Sequence, residues 1–259
     1  MWRAILLGED PRFRRTRGFL RRLPGSPRCK MCSAPFAGLA APLMRLMGRR
    51  RWGKNPKYCR FCFTVLSTQH GGAEIECSLL FADIRGSTAL GEQMSPAAFR
   101  TLLNRFYSIA ADILVDHDAI VDKFVGDEVM AIFIPALAQE RHAGRAIEAA
   151  RSLLSATDQG ATGGLSVPLG IGVHTGTAFV GSVGEGGHTE LTALGDTVNV
   201  AARLASAAGA GEVLVTDAAA TAAGLTPTDY ARRQLDLKGK SAATDVVVLT
   251  GSTAVAQQR

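Results

Sequence analysis

With 259 residues the chain is long enough for one large domain or two small ones, and a hydrophobic share of 47% against a charged share of 20% can build a buried core. No apolar run approaches the ~20 residues that span a bilayer. The opening "MWRAILLGED" runs into acids and then arginines without a small-residue cleavage site, which argues against a secretory signal and for a cytoplasmic protein. The net charge of +6 is unevenly divided: residues 1–72 hold sixteen Lys and Arg against two acids, a net of +14, and the remainder stands at −8. The break falls beside the turn-like "HGGAE" at 70–74 and marks a boundary between a basic N-terminal part and a mildly acidic globular domain.

In chain order, residues 1–27 read as a basic helical segment. Phe13, Phe19, Leu20 and Leu23 stand among arginines in "RFRRTRGFLRRL", and "PGSP" ends the helix. Such a helix suits a solvated or partner-covered face, or a weak contact with a membrane surface or a protein. It lacks the aromatic–basic interleaving of RNA readers, so no specific nucleic acid is expected. Residues 28–72 carry Cys29, Cys32, Cys59 and Cys62 as two C-x2-C pairs separated by 26 residues. Four thiolates so paired suit a structural Zn²⁺ in a ribbon-like module, with an iron–sulfur cluster or free thiols as alternatives. "APLMRLMGRR" between the pairs reads as a small helix packing on that site, and Cys77 as a buried hydrophobe.

Beyond residue 74 the pattern is mixed. "CSLLFADI" is a buried strand, being apolar, short and stopped by polar residues. Ser95 caps and Pro96 opens a helix whose apolar face is Phe99, Leu102, Leu103, Phe106, Ile109, Ala110 and Ile113. "DKFVGDEVMAIF" is a hairpin and "ERHAGRAIEAARSLLSAT" a helix. "LSVPLGIGVHTGTAFVGSVG" gives a strand and a glycine-punctuated turn, and "DTVNVAARLASAAG" a helix with Asp196 as its N-cap. "EVLVTDAAATAAG" gives a strand and short helix, "RRQLDLKGKSAATDVVVLTG" a closing hairpin, and residues 251–259 a frayed tail. This order predicts an α+β fold, with helices packed on an antiparallel-rich sheet over residues 75–250.

Two acids stand out. Asp83 closes an apolar strand, where an ionised carboxylate is costly unless paired, hydrogen-bonded or metal-bound. Asp127 sits at a hairpin tip between apolar strands, where "GD" alone signals only a turn. Hard oxygen ligands at the ends of adjacent strands can hold Mg²⁺ or Mn²⁺. The residues after Asp83, "IRGST", suit a turn whose backbone N–H groups cradle phosphate.

"SLLFADIRGST", "DKFVGDEVMAIF", "IGVHTGTAFVGSVG", "TALGDTVNVAARL" and "LKGK" occur in this order in one chain. Together they resemble the catalytic domain of the class III adenylate/guanylate cyclases, with its ferredoxin-like core. The resemblance implies two metal ions, Mg²⁺ or Mn²⁺, held by Asp83, Asp127 and the carbonyl of Ile84. It implies purine reading by Lys123 and Thr192, the threonine placing the chain in a subgroup that lacks the more frequent Asp. Asn199 and Arg203 would orient ribose and neutralise charge on the transferring phosphoryl group. Arg85, Gly86, Ser87 and Thr88, with Lys238 or Lys240, would meet phosphates. Lys with Thr points to ATP, and sites shared across a homodimer are expected. The alternatives are a guanylate cyclase and a zinc-binding regulatory protein that holds nucleotide without turnover. A diguanylate cyclase is disfavoured, because Val125 replaces the first glycine of that family's turn and "NVAAR" would go unexplained.

Overall fold

The computed structural model describes residues 1–53, 58–68, 71–157, 166–184, 190–237 and 243–250. The elements in chain order are α1 (Trp2–Leu7), α2 (Pro11–Arg22), α3 (Ala41–Leu46), α4 (Arg60–Thr68), β1 (Gly71–Ile84), α5 (Ser87–Gln93), α6 (Pro96–Asp116), β2 (Ile120–Val125) and β3 (Glu128–Phe133). They continue with α7 (Pro135–Ala138), α8 (His142–Thr157), β4 (Leu169–Val183), β5 (Glu190–Leu194), α9 (Asp196–Ala207), β6 (Glu212–Thr216), α10 (Asp217–Ala222), β7 (Ala231–Leu235) and β8 (Thr244–Thr250). The chain forms two compact units. One comprises Met1–Glu76, Ile134–Glu140 and Thr177–Leu194; the other comprises Cys77–Phe133, Arg141–Gly176 and Gly195–Arg259.

The second unit is built on a sheet of order β2-β3-β1-β4-β6-β8-β7. The β1/β3, β2/β3, β6/β8 and β7/β8 pairs are antiparallel, and β4/β6 is parallel. This is the expected α+β arrangement of a sheet flanked by helices. Strand alternation sorts the side chains into two cores. Ile171, Val173, Val213, Val215, Val247 and Leu249 face the larger one, with Phe106, Ala110 and Leu114 of α6 and Ala146, Ala150 and Leu153 of α8. Leu214 and Val246 face the smaller one, under Val200, Leu204 and Ala208 on and just beyond α9. The start of α6 follows its sequence signal: Ser95 Oγ accepts the Ala98 N–H at 3.2 Å, and Pro96 opens the first turn. Ser78, fully buried on β1, hydrogen-bonds His142 Nδ1 at 2.9 Å and Thr175 Oγ1 at 2.6 Å, so the core polar groups there are satisfied.

The position of α9 depends on two glycines. A Cβ at Gly172 would lie 2.4 Å from the Ala201 carbonyl oxygen and the Ala205 nitrogen, and one at Gly170 would lie 2.9 Å from the Ala208 carbonyl oxygen. Alternate residues of β4 therefore carry no side chain where the helix crosses.

Three local expectations are corrected. "HGGAE" does not turn: Gly71–Glu74 already belong to β1. The glycines serve close approach of two strands, since a Cβ at Gly72 would meet the Val180 carbonyl oxygen at 2.7 Å and one at Gly181 the Gly72 Cα at 2.4 Å. For the same reason β4 runs unbroken to Val183 in place of the expected turn. Asp196 is the first helical residue of α9 and Gly195 is its N-cap, because the chain enters at φ 124°.

In the first unit, short knuckles are closed by the Cys29 N–H to the Ala34 carbonyl at 2.8 Å and the Ser33 N–H to the Cys29 carbonyl at 2.8 Å. Asp10 caps α2, accepting from the N–H groups of Arg12 and Phe13 at 2.9 Å. Leu20 of that helix is buried while Phe19 is 64% exposed, so the expected apolar face is only partly covered.

Candidate active site and metal centre

Register brings the two acids together. Asp83 pairs with Glu128 across β1 and β3, and the Ile84 N–H donates to the Asp127 carbonyl at 3.3 Å. Asp83 and Asp127 thus share one end of a strand pair although 43 residues separate them in the chain. Gly126, at φ 61°, makes the turn between β2 and β3. Tyr107 of α6 supports it, donating its hydroxyl to the Gly126 carbonyl and setting its ring 4.4 Å from that of Phe124.

Negative charge accumulates at this end of the sheet. Burial, and then the Asp127 carboxylate, push Glu128 above the ordinary carboxylate range, with Arg85 opposing the rise. Burial and Asp127 also push the Tyr107 phenol up. Arg85 contacts the Asp83 carboxylate, donates to the Ser206 carbonyl at the end of α9 at 3.0 Å, and is anchored by its own N–H to the Pro168 carbonyl at 2.8 Å. Asp83, paired with Arg85, and Asp127 are hard-oxygen donors of the type that take Mg²⁺ or Mn²⁺.

The other expected positions are distributed as follows. Gly86, at φ 73°, is the N-cap of α5, whose first residues are Ser87 and Thr88. Lys123 follows a β-bulge in β2, and its ammonium lies 3.8 Å from the Asp122 carboxylate. Thr192 belongs to the first unit, where it is buried on β5 opposite Gly181. Asn199 is exposed and Arg203 half-buried, one turn apart on α9. Lys238 and Lys240 lie outside the described residues, as does the tail 251–259.

Sequence reasoning assigned no role to Glu128 or Tyr107. Glu128 was detectable as the acid directly after Asp127. Tyr107 was not, because only the packing of α6 on the hairpin brings it to the turn.

The four N-terminal cysteines converge as well. The sulfurs of Cys29, Cys32, Cys59 and Cys62 lie within 4.8 Å of one another, and all four residues are buried. Cys32 and Cys59 sulfurs are 3.7 Å apart, too far for a disulfide and near the ~3.8 Å edge of a tetrahedron built on a metal–sulfur distance of ~2.3 Å. The Cys59 N–H donates to the Cys29 sulfur at 3.2 Å and the Cys62 N–H to the Cys59 sulfur at 3.5 Å, which favours thiolates. Hydrogen bonding from Cys29 above all pulls Cys32 far below the ordinary thiol range, while the same neighbour pushes Cys62 far up. Four buried sulfurs gathered this closely are an arrangement that a cation relieves.

A mixed sheet flanked by helices, with Asp83 and Asp127 at one end of its β1/β3 pair, sets this domain in the α+β class. Residues 72–250 match the adenylate and guanylate cyclase catalytic domain, and the chain belongs to that family. It is 35% identical over 134 residues to "Adenylate cyclase 1" of Rhizobium meliloti (strain 1021), an alignment covering 50% of this chain and 20% of that one. It is 32% identical over 136 residues to "Adenylate cyclase" of Anabaena cylindrica, covering 49% of this chain and 26% of the other. The chain therefore spans about a quarter or less of these relatives' lengths. Among solved structures it is similar to the guanylyl cyclase Cya2, with TM-score 0.63 and 26% identity over 69% of this chain and 93% of that one. It is also similar to the adenylyl cyclase CyaB from P. aeruginosa, with TM-score 0.61 and 27% identity over 69% and 96%. Domains of this family use divalent metal ions and bind nucleotides. No helix among the described residues is long and apolar enough to cross a membrane.

Proposed function

We propose that the chain is an adenylate cyclase, converting ATP to 3′,5′-cyclic AMP and pyrophosphate. The observation that carries this reading is the meeting of Asp83 and Asp127 at one end of the β1/β3 pair, with the Ile84 N–H bonded to the Asp127 carbonyl. In the proposal these carboxylates and the Ile84 carbonyl hold divalent cations, which would lower the pKa of the ribose 3′-hydroxyl and neutralise phosphate charge. Gly86, Ser87 and Thr88 offer backbone N–H groups to phosphate at the start of α5. Arg203 stabilises charge on the transferring phosphoryl group, and Asn199, on the same face of α9, orients the ribose. Lys238 or Lys240 takes the terminal phosphates, and Arg85 is a further phosphate contact. Lys123 and Thr192 read the base; a hydroxyl that both donates and accepts suits adenine. The substrate supplies the nucleophile, so no serine or cysteine nucleophile is needed.

The enzyme works as a homodimer in this reading. Asp83 and Asp127 serve one site, while Lys123, Thr192, Asn199 and Arg203 serve the other. The four cysteines hold a structural Zn²⁺: a single tetrahedral ion suits the sulfur spacing better than a cluster of several irons, which would splay the thiolates around a larger body.

Purified protein is assayed with Mn²⁺ and either ATP or GTP, measuring cyclic nucleotide and pyrophosphate. Cyclic AMP and equimolar pyrophosphate from ATP are expected. Faster turnover of GTP overturns the base assignment, and absence of product from either, with nucleotide still bound, favours the regulatory alternative.

A further inference from the structure

Residues 39–47 of the first unit expose an apolar crown. Leu39 is 91% exposed, Leu43 55%, Leu46 85% and Met47 53%. Leu43, Leu46 and Met47 follow at i, i+3 and i+4, one side of α3 and its end, while Ala41 and Met44 of the same helix are buried. The helix thus uses one apolar side for the module's interior and presents a second to solvent. Arg45 and Arg50 are exposed beside it, and Arg49 lies over the Phe61 ring at 4.3 Å. From Pro11 to Ala73 the sequence contains no Asp or Glu.

We propose that this crown docks the protein on an anionic membrane surface. Leu39, Leu43, Leu46 and Met47 enter the boundary between headgroups and acyl chains, and Arg45 and Arg50 meet acidic headgroups. Three observations select this occupant. Leu39 and Leu46, 91% and 85% exposed, protrude into solvent, whereas a peptide-binding face encloses its anchors in a groove. A second copy would set residues 1–72, with a formal net charge of +14, against an equally basic segment. An anionic bilayer supplies the opposite charge and accepts protruding aliphatic groups without shape matching. The surface is independent of the cyclase reading and would stand if that reading fell.

The test uses the full chain and co-sedimentation with vesicles of phosphatidylcholine, with and without phosphatidylglycerol. Binding is expected only with phosphatidylglycerol and should weaken at least about tenfold on raising salt from low to high. The Leu43→Asp/Leu46→Asp variant should lose at least about tenfold, and Arg45→Gln or Arg50→Gln about fivefold each. Metal content and nucleotide turnover in the absence of lipid should not change. Leu39→Asp, outside the helix, should act in the same direction and serves if the double variant does not fold. Wild-type protein remaining in the supernatant overturns the proposal, as does undiminished binding by folded variants. If, without vesicles, the folded Leu43→Asp/Leu46→Asp variant sediments as a smaller species than wild type, the crown is a contact between copies of the chain and the proposal is overturned.

Discussion

Gly172→Ala tests whether the close approach of β4 and α9 sets the reaction geometry. The added methyl would lie 2.4 Å from two backbone atoms of α9 and 2.7 Å from the Leu204 Cβ, where ordinary contacts begin at 3.4 Å. The shortfall is about 1 Å, and close-packed backbone on both sides must move to absorb it. Overpacking of this kind costs about 1–3 kcal/mol of stability. Because α9 carries Asn199 and Arg203, the same displacement should lower kcat about 100-fold, since ~1 Å of misplacement has that order of effect. That is ~2.7 kcal/mol of barrier. Gly144→Ala is the matched control: it lies in α8 with nothing within 4 Å of the new methyl, and should stabilise by about 0.5–1 kcal/mol without changing turnover. Steady-state kinetics with Mn²⁺ and ATP, with circular dichroism melts, read both. If folded Gly172→Ala protein keeps kcat within about threefold, the link from glycine spacing to α9 position to catalysis is refuted.

Mixing an Asp127→Ala chain with a Lys123→Ala chain should restore activity, because each heterodimer would hold one intact site; a mixture that stays inactive while heterodimers form rules out shared sites. If the four sulfurs hold a metal as proposed, Cys59→Ser should lower the zinc or iron content and expose the amides of residues 25–65 to hydrogen exchange while residues 75–250 stay protected; unchanged zinc or iron by metal analysis contradicts the four-sulfur site. Glu212 is held below the ordinary carboxylate range chiefly by two hydrogen bonds from Arg233, at 2.7 and 3.0 Å, with help from the Gly209 N–H. A depressed carboxylate stabilises the fold above its unfolded pKa and loses that contribution as pH falls through its folded value. The pair is partly exposed and worth at most about 1 kcal/mol, so Glu212→Gln should lower Tm by a few degrees at neutral pH, and the gap should close in acid. A gap that widens on acidification contradicts the assignment.

Much of this protein was legible one segment at a time. Ser95 and Pro96 announce the start of α6 because capping and a preset φ act within four residues. The C-x2-C pairs and the five ordered motifs likewise carry their meaning in local spacing. Local pattern misled at "HGGAE" and after "IGVHTG", where glycine signals a turn as readily as a close strand crossing. Gly72 and Gly181 act in the second way only because their two strands meet.

The amino-acid sequence by itself determined which chemistry is available: hard carboxylates, paired thiols, a basic front and an acidic remainder. Only the tertiary structure decided which groups meet. Antiparallel register puts Asp83 beside Glu128 and bonds the Ile84 N–H to the Asp127 carbonyl, and α6 packing delivers Tyr107 to the Gly126 turn. Folding also buries Met44 while leaving Leu43 and Leu46 in solvent. The physical reason is that propensity and capping act over a few residues, whereas register, burial and the crowding of charge depend on segments tens of residues apart, which the chain brings together only by closing its sheet.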